Sequence, residues 1–278
     1  MVATSAAVAL DANLGWLFTE LPFEERFEAA AVAGFRAVEY PSPYEHDASL
    51  LRRLLAESGL HQVLINTPTG EPGTETGAGL ACLRDRVGEF RDGLEKGLEY
   101  ADALDSDFLH IVGGAVPSGT SRDEALAQYA ANVAWSAEKA RATRVRLVLE
   151  MQNKTDVPGF ILDAPQDAVA VIEQIGADNV GVLLDVYHVR MQGGDVLRTA
   201  AAVRPHISHV QIADPPRRTE PGSGEIDWAA IFGFFVDSDY RGWIGCEYRP
   251  AAGTIPGLAW IDELARKGVP VAGALDPE

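Results

Sequence analysis

Short apolar, β-branched runs alternate along the chain with longer stretches in which apolar residues recur every three or four positions. The short runs lie near Ala7–Trp16, Phe35–Tyr40, Gln62–Asn66, Phe108–Val112, Arg146–Glu150, Val180–Asp185, His209–Ile212 and Trp243–Tyr248. Between them lie stretches of helical period: Phe23–Ala33, Asp47–Ser58, Leu83–Leu104, Arg122–Ala142, Pro165–Ile175, Asp195–Val203, Trp228–Val236 and Ile255–Arg266. In Leu94, Leu98, Ala101 and Leu104 the spacing places apolar side chains on one helix face. Ser121 ahead of Asp123 and Glu124 has the form of an N-cap followed by an acidic first turn. Gly34 and Gly59 stand where a left-handed C-terminal cap belongs. Eight alternations predict parallel strands joined by helical crossovers, and eight parallel strands close into a barrel with no edge left over. The expected architecture is a (β/α)8 TIM barrel, one domain over residues 1–278. An open doubly wound sheet carries a glycine-rich phosphate loop after its first strand; Thr19-Glu20-Leu21-Pro22 stands there instead.

Composition narrows the partners. The chain has 278 residues, 47% hydrophobic and 23% charged, and a formal net charge of −18, a field that disfavours nucleic acid and anionic membrane surfaces. Two cysteines, Cys82 and Cys246, give neither a disulfide framework nor a metal-site spacing, so a reduced, cytoplasmic setting is expected. The N-terminal stretch lacks a basic leader and Asp11 interrupts its apolar run, so no signal peptide is expected. Nothing approaches the apolar length of a membrane span.

In a barrel of this kind the chemistry stands at the C-terminal ends of the strands. Four consecutive runs end in, or carry, an oxygen donor there: Arg-Leu-Val-Leu-Glu150, Val-Gly-Val-Leu-Leu-Asp185, His-Val-Gln211-Ile-Ala-Asp214 and Trp-Ile-Gly-Cys-Glu247. Each acid alone could cap the next helix. Together, three carboxylates and an amide oxygen on one mouth repel one another unless a cation lies between them, and such donors suit one hard divalent ion, Mg²⁺ or Mn²⁺. The expectation is that they face an ion and do not pair with lysine or arginine. His188, just past Asp185, is expected near substrate or behind a ligand. Glu39 and Asn66 end strands two and three, where either could contact substrate or cap a helix. His110 lies inside strand four with no assignable role, and His209, read as the first residue of strand seven, is expected in the core or at the surface. The glycine-rich loop Thr67–Ala78 is expected as a lid.

Several strings resemble the hydroxypyruvate isomerase family of xylose-isomerase-like barrels: Phe18-Thr19-Glu20-Leu21-Pro22-Phe23, Asp156-Val157-Pro158-Gly159-Phe160, Asp185-Val186-Tyr187-His188, His209-Val210-Gln211-Ile212-Ala213-Asp214, Glu220-Pro221-Gly222-Ser223-Gly224-Glu225-Ile226 and Gly242-Trp243-Ile244-Gly245-Cys246-Glu247-Tyr248. The resemblance runs from about Asn13 to Trp260. It implies that Glu150, Asp185, Gln211 and Glu247 correspond to metal ligands and Glu150 and Glu247 to the acid/base pair. Glutamine on strand seven separates the group from ketose 3-epimerases, which usually carry histidine there. The chain departs from the family after Glu150 (Met151-Gln152-Asn153-Lys154-Thr155), after Asp214 (Pro215-Pro216-Arg217-Arg218-Thr219) and at His110-Ile111-Val112-Gly113-Gly114.

The function so implied is isomerisation of a small hydroxy-carbonyl acid, hydroxypyruvate to tartronate semialdehyde first, by Glu/Glu proton transfer through an enediolate. Arg218 and Lys154 are the candidates to hold a substrate carboxylate, with His188, Asn66 and Asp214 as further substrate contacts, and homo-oligomers are common in the family. Epimerisation of a sugar or inositol derivative, or isomerisation of a longer keto acid, uses the same paired carboxylates. Phosphodiester cleavage would need several metals, many histidines and a basic groove. A non-catalytic binding protein on the same barrel is the fourth reading.

Overall fold

Parallel strands covered on both faces lose all contact with water, which is why these runs are so rich in Val, Ile and Leu. In the computed structural model, which describes residues 8–269 and 271–272, they form β1 (Val8–Asn13), β2 (Ala37–Glu39), β3 (His61–Asn66), β4 (Phe108–His110), β5 (Arg146–Glu150), β6 (Val180–Asp185), β7 (Ile207–Ile212) and β8 (Trp243–Cys246). The helices are α1 (Arg26–Val32), α2 (Ala48–Ser58), α3 (Val87–Ala103), α4 (Arg122–Ala140), α5 (Pro165–Ile175), α6 (Val186–Met191), α7 (Val196–Val203), α8 (Trp228–Asp237) and α9 (Trp260–Arg266). Strands β2 to β8 pair in chain order. β1 closes the ring, aligning Ala9–Ala12 with Trp243–Cys246 on one side and Ala12 and Asn13 with Val38 and Glu39 on the other. A short ninth strand, β9 (Val271–Ala272), pairs with β1 at Val8 and Ala9, below the point where β2 begins. The (β/α)8 barrel read from the sequence is the observed fold.

Local chemistry sets the ends of these elements. Ser121 caps α4 in a reciprocal box: its Oγ accepts from the Glu124 amide, and the Glu124 carboxylate accepts from the Ser121 amide. Gly59 terminates α2 at φ 63°, a conformation that glycine adopts without a Cβ clash. The first strand stops at Asn13, short of the expected Trp16, because the Asn13 side chain and carbonyl collect the amides of Gly15, Trp16 and Leu17 into a turn. Strand seven starts at Ile207, so His209 lies mid-strand. Neither α6 nor β9 is foreshadowed by the pattern: six and two residues are too few to show a period.

The barrel interior explains the placement of the chemistry. Its floor is a small apolar cluster of Ala37, Val63, Leu64, Val148 and Leu183, with Phe108 and Trp243 against it, separate from the main core under the helices. Side chains alternate along a strand, so the next inward position lies two residues on. From Ala37, Leu64, Phe108, Val148 and Leu183 that step leads to Glu39, Asn66, His110, Glu150 and Asp185. An apolar plug below thus gives way to a polar layer at the C-terminal mouth.

Candidate active site

A cavity of about 120 Å³ opens in that layer, lined by residues from β1, β3, β4, β5 and β7, from α6 and from the loops beyond the strands, among them Asn66, His110, Glu150, His188, Gln211, Arg218 and Glu247. Glu150 and Asp185 are buried at the ends of their strands, and Glu247 stands one residue past β8. Asp185 does two things. Its Oδ1 caps α6 by accepting from the Tyr187 amide at 2.8 Å, and its Oδ2 accepts from Arg218 Nη2 at 2.8 Å. The same Nη2 donates to Glu247 Oε2. The guanidinium is held between the rings of Trp16 and Tyr187, each 4.8 Å from its centre. Glu150 receives a hydrogen bond from Gln152 Nε2 at 2.9 Å. Burial, then the charges of Asp185 and Glu247, push its pKa well above the ordinary carboxylate value. Burial likewise lifts Glu247 to about 8, against the opposing pull of Arg218.

Beneath the mouth, the fully buried Glu39 gathers three donors: Asn13 Nδ2 at 2.9 Å and Gln211 Nε2 at 2.7 Å on Oε1, and His209 Nε2 at 2.7 Å on Oε2. With its amide nitrogen committed downward, Gln211 turns its carbonyl oxygen to the cavity. Gly245 makes room for this hub, since a Cβ there would lie 2.6 Å from Glu39 Oε1. Asp11, fully buried beside it with neither oxygen hydrogen-bonded, has its pKa raised well above the usual range by burial and then by Glu39 and Glu247.

The two mouth histidines carry opposite faces. Asn153 Oδ1 accepts from the amides of Thr155 and Asp156, so its Nδ2 is the donor, and at 2.7 Å it donates to His188 Nδ1. His188 therefore carries its proton on Nε2, 3.5 Å from Asp185 Oδ2 and 3.7 Å from Glu150 Oε1, and burial depresses its pKa to about 4. His110, equally buried, places Nδ1 3.2 Å from Asn66 Oδ1, and its Nε2 has no hydrogen-bond partner. Burial holds its pKa near about 3.

A family model described as a xylose isomerase-like TIM barrel matches residues 27–264. The chain belongs to that family. Its relatives include 2-oxo-tetronate isomerase of Cupriavidus necator, 40% identical over 90% of this chain and 96% of the relative, and hydroxypyruvate isomerase of Escherichia coli, 38% identical over 90% and 97%. A solved Brucella melitensis structure described as AP endonuclease, family 2, superposes with a TM-score of 0.88 at 37% identity, covering 92% of this chain and 98% of that one. Like these curated relatives, this xylose isomerase-like barrel is an isomerase. The 3-keto-D-glucoside 4-epimerase of E. coli shares the fold, with a TM-score of 0.76 at 19% identity.

In this member of the family the four oxygen donors predicted from the strand ends do converge, and a basic side chain lies among them. Arg218, expected as a substrate clamp, pairs with Asp185 and Glu247. The one guanidinium reaches two of the three carboxylates and leaves Glu150 with no arginine or lysine partner among the described residues. Glu150 receives no hydrogen bond from it, and carboxylate oxygens of Glu150 and Asp185 lie within 4.8 Å of one another, close enough to share an ion. The donor set therefore fits a hard divalent cation. Lys154 is not at the mouth: the chain turns outward after the buried Asn153, and the Lys154 ammonium pairs with the half-buried Asp163. Asp214 is also removed from the cavity. Its Oδ2 accepts from the Gly222 amide and Trp228 Nε1, which pins the 214–219 hairpin that delivers Arg218. None of Thr67–Ala78 lines the cavity, so the loop is no lid here. Sequence reading left Glu39 and His110 open and passed over Asn13, Trp16 and Tyr187; the two-residue step from apolar floor to polar mouth would have picked out Glu39 and His110.

Proposed function

We propose that the chain isomerises a small 2-oxo acid carrying a hydroxyl next to its carbonyl. In this reading Glu150, Asp185, Gln211 and Glu247 hold one divalent cation, Mg²⁺ or Mn²⁺, and Glu150 and Glu247 move the carbon-bound protons. The observation that carries it is the convergence of three carboxylates with a single guanidinium against them, two of those carboxylates with raised proton affinity. The names of the relatives, 2-oxo-tetronate isomerase and hydroxypyruvate isomerase, support the same substrate class. When bound, the ion supplies Lewis-acid stabilisation of the charge that builds on the substrate oxygens.

The rest is the work of this chain's side chains. One of Glu150 and Glu247 takes the proton from the hydroxyl-bearing carbon, and the C–H electron pair becomes the double bond of an enediolate. The other glutamate delivers a proton to the former carbonyl carbon, while the hydroxyl proton passes to the neighbouring oxygen. His188 offers its Nε2–H to one of these oxygens. Arg218 Nη1 faces only the protonated nitrogen of His188, so it is free to receive the substrate carboxylate while Trp16 and Tyr187 hold the guanidinium plane. From hydroxypyruvate the product is tartronate semialdehyde. A cavity of about 120 Å³ is well below the roughly 300–1,000 Å³ that larger ligands use, which favours three- and four-carbon acids over hexoses.

Proton NMR of hydroxypyruvate and 2-oxo-tetronate incubated with the protein and Mn²⁺ or Mg²⁺ tests this reading. Conversion of at least one acid to its positional isomer is expected; full recovery of both contradicts it.

A further inference from the structure

Among the described residues, His110 is the buried histidine that lines the cavity with a ring nitrogen, Nε2, lacking a hydrogen-bond partner. It is 1% exposed, and an unmade hydrogen bond at such a site has a cost that a polar group seated in the cavity would remove. Its position says what that partner is. His110 ends β4 and its neighbour Asn66 ends β3, whereas Arg218 follows β7 and contacts Glu247 beyond β8. In an eight-stranded barrel, strands three and four stand opposite strands seven and eight. A 2-oxo acid with its carboxylate on Arg218 therefore lies across the mouth, over Glu150 and Glu247, with its far end at His110 and Asn66.

The group at that far end has to suit an imidazole nitrogen without a hydrogen-bond partner, 3.7 Å from Glu150 Oε2. A second carboxylate is repelled there, and a methyl group leaves the nitrogen unpaired. A hydroxyl fits, because it donates to the Nε2 lone pair when Nδ1–H is on Asn66 Oδ1 and accepts from Nε2–H in the other tautomer. The Asn66 amide nitrogen makes no hydrogen bond among the described residues and can serve the same hydroxyl. We infer that His110, backed by Asn66, is a specificity residue that binds the hydroxyl on the carbon beyond the two reacting carbons. The structure thereby assigns a four-carbon 2-oxo-3,4-dihydroxy acid, rather than the three-carbon acid that lacks this group, as the preferred substrate. The inference rests on the isomerase reading above and chooses within its substrate class.

The test compares kcat/KM for three acids: 2-oxo-tetronate, its 4-deoxy analogue 2-oxo-3-hydroxybutanoate, and hydroxypyruvate. The wild-type protein is expected to favour 2-oxo-tetronate over the 4-deoxy acid by roughly tenfold to a hundredfold, the range for a buried polar group left without its partner. His110→Phe keeps the ring and removes the nitrogen; it should erase that preference, because kcat/KM falls much further for 2-oxo-tetronate than for the 4-deoxy acid. His110→Gln, whose amide reaches the same point, should restore part of it. Equal wild-type kcat/KM for 2-oxo-tetronate and the 4-deoxy acid overturns the assignment without any variant, as does an equal loss on all three acids in soluble His110→Phe. Turnover of none of the three by the wild-type protein overturns the isomerase reading and this inference together, so the two failures are distinguishable.

Discussion

Individual side chains at the mouth are placed by partners far away in the chain. Gln211 is turned toward the cavity by Glu39, 172 residues earlier, which also holds His209 and Asn13. Replacing Glu39 by Gln puts an amide donor where only an acceptor fits; Mn²⁺ affinity, followed by titration calorimetry, should weaken about 10–100-fold. Unchanged affinity would remove Glu39 from the account. Glu150→Gln and Glu247→Gln keep shape and lose the proton acceptor, so kcat should fall by about 10²–10⁴ with circular dichroism unchanged. The acids Glu150, Asp185 and Glu247 were legible in the sequence because each breaks an apolar run at a strand end. Lys154 was misplaced because nearness to Glu150 in the chain says nothing about which way the backbone turns after a strand. Arg218 was read as a clamp for the substrate carboxylate and does line the cavity, but no pattern in the sequence shows that its guanidinium pairs with two of the carboxylates.

Elements set where those side chains arrive, and their boundaries answer to local chemistry. The α4 capping box was visible as Ser121 with Glu124 three positions on; Ser121→Ala should lower unfolding stability in urea by about 1 kcal/mol without altering the site. Gly245 on β8 is a packing requirement of a different kind. A methyl group there meets Glu39 Oε1, Cδ and Oε2 at 2.6, 2.8 and 2.9 Å. Gly245→Ala should therefore lower Tm and activity together. At the barrel's other end, His61 at the start of β3 bonds Asp107 just before β4 at 2.8 Å, and this hydrogen bond raises its pKa above the ordinary 6.5. A raised folded-state value stabilises most below the unfolded pKa and is lost as pH rises through the folded one. The Tm difference between wild type and Asp107→Asn should therefore be larger near about pH 5.5 than near about pH 8.5, and modest in size because both side chains are more than a third exposed. The period of long helices was readable throughout. The six-residue α6 was not, because Asp185 starts it with a side-chain cap and no apolar repeat follows.

The barrel as a whole explains why so much of the site could be read in advance. Parallel strands put every C-terminal end on one face, so polar interruptions in separate apolar runs must meet. The substrate could not be read that way, because it depends on cavity size and on unpaired groups such as His110 Nε2, which exist only once eight strands close. No helix among the described residues is long and apolar enough to cross a membrane, and the net charge of −18 places the one mouth guanidinium in a strongly acidic field. The most direct measurement is turnover of a 2-oxo acid in D₂O by chelator-treated protein, before and after adding Mn²⁺, with deuterium at the reacting carbons followed by NMR. The account predicts isomer formation with carbon-bound deuterium, together with solvent exchange at the hydroxyl-bearing carbon, only when the ion is present, and loss of both in Glu150→Gln and Glu247→Gln. Full turnover without a divalent ion, or with either glutamate replaced, would contradict it.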